Sequence, residues 1–126
     1  MYSLYGLLMP ANDYTVEQAH RRLTTAFPQY TVLVGAEEQI TIASGDWEFE
    51  LKVFEGPEVQ AQHAAIAEHL GGDDAINLAA CARRVEAWSE TPDPMMEHFA
   101  DFQSVVDVLK SFTGVVVIDP KEPAMM

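Results

Sequence analysis

A chain of 126 residues that is 48% apolar and 10% aromatic holds one domain's worth of core: it is too short for two and too apolar for a disordered segment. Twenty Asp and Glu against seven Lys and Arg leave a net charge of −13, a field that repels phosphate backbones and anionic headgroups and excludes direct nucleic-acid or membrane-surface binding as the expected function. One cysteine, Cys81, excludes an intramolecular disulfide and a zinc site built on several thiolates.

In chain order, Tyr2 to Met9 reads as a strand stopped at Pro10. The opening MYSLYGLLMP lacks the basic residues of a secretory leader and is too short to span a bilayer, so a cytoplasmic setting is expected. Thr15 with Gln18 three residues on forms a capping-box pattern for a helix over 16–27, which Pro28 closes. Three strands follow: Tyr30 to Val34, Gln39 to Ala43 and Trp47 to Phe54, joined by short turns at Gly35-Ala36 and Ser44-Gly45-Asp46. The last alternates Trp47, Phe49, Leu51 and Val53 with Glu48, Glu50 and Lys52, as in a sheet packed on one side and wet on the other.

Pro57 suits the first position of a second helix, with Val59, Ala65, Ile66 and Leu70 as its apolar stripe and Gly71-Gly72 as its stop. The stretch Asp73 to Glu90 reads two ways, helix-like over Asp74 to Ala82 yet able to close as a strand at Val85 to Trp88, and a short helix running into a strand is the expectation. Asp93 as cap and Pro94 at the first position open a third helix carrying Met95, Phe99, Phe102, Val106 and Leu109, ended by Thr113-Gly114. Val115 to Ile118 is a strand buried on both faces, closed by Asp119-Pro120. The sum is a single α+β domain over residues 1–120 with a frayed tail at 121–126. Its expected form is a mainly antiparallel sheet of four to five strands with helices on one face, for which a ferredoxin-like arrangement is one variant.

Specific chemistry is thin. The chain has no GxxxxGK[ST], GxGxxG or GxSxG pattern, no HExxH or HxxEH, and no calcium loop of the EF-hand type. Cys81 sits in an apolar run and reads as a small buried hydrophobe. His63 and His69 are six apart and fall on different helix faces. No metal and no cofactor are expected. One enzyme reading remains: a carboxylate–histidine site built on His98 with Glu97 or Asp101, or on Asp119 at the end of the last strand.

The charge is better placed for binding. No Lys or Arg interrupts the five acids between Lys52 and Arg83 or the six between Arg84 and Lys110. The plain reading is that this charge keeps the protein soluble. The functional one is a surface of Glu86, Trp88, Glu90, Asp93, Glu97 and Asp101 that docks a basic protein, with Trp88 as an anchor rimmed by acids. In size and charge alone the chain is similar to small acidic bacterial immunity proteins, which mask the basic active sites of toxin domains. Met95-Met96 and a sheet edge offer a route to a homodimer.

Overall fold

Alternation decides which side of each strand is buried, and different helices cover the two sides. The structure, a computed structural model, describes residues 2–45, 47–71, 78–121 and 126. Among them are six strands: β1 (Ser3–Leu8), β2 (Thr31–Val34), β3 (Ile40–Ser44), β4 (Trp47–Glu55), β5 (Arg83–Trp88) and β6 (Val115–Ile118). Three α-helices join them: α1 (Val16–Ala26), α2 (Pro57–Leu70) and α3 (Phe99–Lys110). The strands form one sheet in the order β2-β3-β4-β5-β1-β6, every neighbouring pair antiparallel.

The α+β class and the antiparallel sheet are as the sequence implies. The sheet is larger than four to five strands because β5, the segment that read two ways, is a full strand between β4 and β1. The six-strand order is not the four-stranded ferredoxin-like arrangement, although β5-α3-β6 retains its split β-α-β unit: both strands run antiparallel to β1, which lies between them.

Leu4 and Leu8 of β1 point to one side, where Ile40, Ile42, Trp47, Phe49, Leu51, Val85 and Ala87 join them. Ala19 and Leu23 of α1 and Phe102, Val105, Val106 and Leu109 of α3 close this main core. So α1 and α3 share one face of the sheet. Leu7 of β1 and Ile118 of β6 project from the opposite pleat and form a smaller core with Ala67 of α2, Leu78 and Cys81. The buried stripe of α2 is Val59, His63 and Ala67, so a histidine occupies the middle of an apolar helix face.

Local chemistry sets most helix ends. The Thr15 hydroxyl accepts the Gln18 N–H at 3.2 Å, capping α1, and Gly71 closes α2 with φ +67°. The third helix differs from expectation. It begins at Phe99, because Met96 adopts φ +56° and breaks the helical path that Pro94 would have opened. Asp93 still caps, one turn early: its carboxylate accepts the N–H groups of Glu97 at 2.9 Å and His98 at 2.8 Å. Met95, placed on the buried stripe by its spacing, is instead 79% exposed. Of the earlier expectations, Asp46, part of the helix-like stretch Asp74 to Ala82, and residues 122–125 of the tail lie outside the described residues.

The loops at one end of β1 and β6 interlock. Met9 N–H bonds Gly114 O at 2.8 Å, Asp13 N–H bonds Thr113 O at 3.1 Å, and the Asp13 carboxylate accepts Thr113 N–H at 2.8 Å. Gly114 holds φ +76°, and a Cβ there would sit 2.8 Å from Asn12 Cα and 2.9 Å from Ala11 O. Gly114→Ala therefore meets both backbone strain and a backbone collision. Urea unfolding should show a loss of at least about 1–3 kcal/mol, the usual strain of a left-handed non-glycine residue alone. An unchanged midpoint would show that this crossing is not held tightly.

Candidate functional site

The pleat opposite the main core can be laid out from the register as three rows across β4, β5 and β1. Phe54, Arg84 and Leu7 form the first, Lys52, Glu86 and Tyr5 the second, and Glu50, Trp88 and Ser3 the third. The small α2 core, built on Leu7 and Ile118, closes over the first row.

Under that helix, Arg84 is buried. Its Nε and Nη2 donate to Glu86 Oε2 at 3.0 and 2.9 Å, and its guanidinium lies 4.1 Å from the centre of the Tyr5 ring. His63 reaches the same region from α2 and donates from Nδ1 to Cys81 O at 2.9 Å, which leaves Nε2 as the ring's acceptor. Among the described residues, His63 Nε2 and Arg84 Nη1 are buried without a hydrogen-bond partner. Burial pushes the His63 pKa below the ordinary imidazole value; the Arg84 charge adds to this and the Cys81 carbonyl opposes it. Burial likewise pushes the Cys81 thiol up, away from the reactive thiolate.

The charges of the second row are each paired with a group outside it. Lys52 pairs with Glu37 at 2.5 Å, and Glu86 is held by Arg84. The third row differs. Among the described residues no cation pairs with Glu50, nor with Glu48 and Glu90 beside it. Those three carboxylates line a notch of about 290 Å³ with Thr91 and Pro92. Trp88 stands next to it, half-buried, its ring 6.5 Å from that of Phe54. Ser89 holds the geometry, donating its hydroxyl to Glu48 O at 2.8 Å and its N–H to Tyr2 O at 2.9 Å.

Around the sheet end, a second cluster forms where the 89–98 segment turns into α3. Asp93 accepts the Tyr2 hydroxyl at 2.5 Å besides its two backbone bonds. Burial alone would raise the Asp93 pKa, but these three donors outweigh it and hold the carboxyl below its ordinary value. Tyr2, half-buried and bonded to that carboxylate, is pushed up to about 12 by desolvation and by the carboxylate. Asp101 Oδ2 accepts both the Tyr30 hydroxyl at 2.6 Å and His98 Nδ1–H at 2.9 Å. The His98 ring stacks on Trp47, centroids 4.3 Å apart and 6° from parallel. Trp47, Asp93, Glu97 and His98 line a cavity of about 180 Å³, which shares Thr91 and Pro92 with the acidic notch.

The six residues singled out for docking thus divide. Glu90 lines the notch, Trp88 lies beside it opposite Glu50, and Glu86 lies one row inward on an internal ion pair. Asp93 and Asp101 serve as acceptors that fasten β1 and the chain before β2 to the start of α3, and Glu97 is exposed beside them. Of the catalytic candidates, His98 and Asp101 are in contact. Asp119 accepts the Lys121 N–H at 2.9 Å, closing the turn after β6, and is no part of the His98 cavity. Glu48 and Glu50 were read only as the wet side of a strand. Their juxtaposition with Glu90 depends on β4 pairing with β5, which no local pattern encodes.

Among the described residues no three His, Cys, Asp or Glu side chains converge as metal ligands, and no helix is long and apolar enough to cross a membrane. Comparison with protein-family models, curated proteins and solved structures finds no match.

The buried histidine has a measurable consequence. The unfolded ring titrates near its ordinary 6.5 and the folded one lower. Between these values the unfolded chain binds the extra proton, so His63's contribution to stability is fully present above the unfolded value and is lost as pH falls towards the folded one. Urea unfolding between about pH 7 and about pH 5 should fall more steeply for the wild type than for His63→Gln. Parallel pH profiles would contradict the assigned shift.

Proposed function

We propose that this chain is a cytoplasmic protein-docking domain that receives a basic partner on the uncovered end of its sheet, around Trp88 and the notch of Glu48, Glu50 and Glu90. One observation carries the reading: three carboxylates with no cation partner among the described residues border a half-buried tryptophan on an open pleat. Unpaired carboxylates accelerate encounter with a cationic surface, and a tryptophan that loses its remaining exposure on contact supplies slow dissociation. The net charge of −13 extends that attraction beyond the contact itself. A single cysteine, buried and with a raised thiol pKa, suits a reducing compartment.

The His98–Asp101 pair supports catalysis less well. Its carboxylate oxygen is shared with Tyr30, and the imidazole is held flat against Trp47, an arrangement that explains both groups as packing.

The test is affinity capture from native lysate at low and at moderate salt. The wild-type chain should retain a basic protein at low salt, with the association rate falling as salt screens the field. Trp88→Ala should weaken that complex by at least about 30-fold, the weight of a tryptophan hot spot. Glu48→Lys/Glu50→Lys/Glu90→Lys should abolish it. Equal retention by the wild type and both variants would refute the proposed face.

A further inference from the structure

The ladder reveals which backbone groups face outward at the two sheet edges. In an antiparallel pair, alternate residues bond the neighbouring strand and those between them point away. On β6 the Met9–Gly114 bond sets the phase: Leu7 with Val116 and Tyr5 with Ile118 are bonded pairs, so Val115 and Val117 face out. That edge is partly shielded, since Val117 O accepts the Met126 N–H at 2.9 Å. On β2 the Gly35 N–H to Gln39 O bond, 2.8 Å, sets the phase in the same way. Thr31 and Leu33 bond β3, and Val32 and Val34 face out.

His20 of α1 takes one of those outward groups. Its Nε2–H donates to Val32 O at 3.0 Å, the bond an added strand would supply. The Val32 N–H and both backbone groups of Val34 have no partner among the described residues. The edge sequence Thr-Val-Leu-Val carries neither charge nor proline, the usual devices that blunt an edge, and Leu33 and Val34 are 60% and 44% exposed. Alongside runs a groove of about 650 Å³, walled by Val16, Glu17, His20 and Arg21 of α1 and by Val34 and Glu38 on the sheet side.

We infer that this groove is a strand-addition site for an extended peptide segment of a partner, pairing with the Val32 N–H and both backbone groups of Val34, packing an apolar side chain on Val16 and Val34, and directing a basic one to Glu17 and Glu38. His20 closes the edge at Val32 O, and beyond it the groove runs along Val34, whose two backbone groups remain open among the described residues. Two carboxylates against one arginine favour a cationic segment. A second copy fits poorly, because a two-fold pairing of β2 with itself would bring both α1 helices over one seam. The site uses neither Trp88 nor the acidic notch, so it stands or falls separately from the docking face.

The probe is a library of phage-displayed heptapeptides panned against the full chain, with enriched sequences resynthesised. Enriched peptides should alternate apolar residues with Lys or Arg. On binding, amide exchange followed by NMR should slow at least about tenfold at Val32 and Val34, as expected for newly bonded amides. Val34→Pro removes one outward N–H and no ladder bond, and should weaken binding by about tenfold, roughly the net worth of one hydrogen bond. Val34→Thr keeps the outward N–H and should bind more tightly than Val34→Pro. Absence of enrichment, or protection confined to amides outside β2, overturns the inference. So does slow exchange at Val32 and Val34 that deepens with protein concentration in the absence of peptide, which would give the edge to a second copy.

Discussion

A helix is about 10 Å across and strands lie about 4.8 Å apart, so one helix covers roughly two strands. That mismatch governs this molecule. Two helices, α1 and α3, are set against one side of a six-stranded sheet, where twenty buried residues join in the main core. On the other side, the described residues supply one 14-residue helix, and its core gathers around Leu7 and Ile118. Beyond its reach the pleat must be tolerable to water. Glu48, Glu50 and Lys52 on β4 and Thr41 on β3 meet that condition. The open face follows from counting helices against strands, before any function is invoked.

The boundary between covered and uncovered pleat is where polar groups are hardest to satisfy. Arg84 and Glu86 are neighbours on one face of β5 at that boundary, the arginine buried and the glutamate half so. Desolvating an arginine is costly unless its donors are taken up, and the Glu86 carboxylate and the Tyr5 ring do most of this. Glu86 was singled out for a partner, but its partner is internal. The carboxylates still open to an outside cation are those farther from α2, at the sheet end.

Much of the fold was legible because its signals are local. The alternation of β4, the Thr15 cap, Pro57 at the start of α2 and Gly71 at its end each state their structure within a few residues. What escaped was non-local or conformationally unusual. His63 hid in a helix stripe read from apolar residues alone, since nothing nearby announces that Cys81 O waits for its Nδ1–H. The start of α3 was misread because Asp-Pro is a sound opening, and a left-handed methionine two residues after Pro94 leaves no trace in composition. The docking candidates were gathered by sequence proximity, whereas the notch joins Glu48 and Glu50 to Glu90 through Trp88 lying opposite Glu50.

The strand order also bears on how the chain is made. β1 is made before the other described strands, yet both of its neighbours, β5 and β6, come last among them. The β2-β3-β4 meander can close on itself as soon as it emerges, because its turns are short. β1 must wait, its apolar residues unpaired, until β5 and β6 have followed it. The β5-β1-β6 end of the sheet is thus completed last, a long-range closure of the kind that slows folding and leaves apolar strand surface exposed meanwhile.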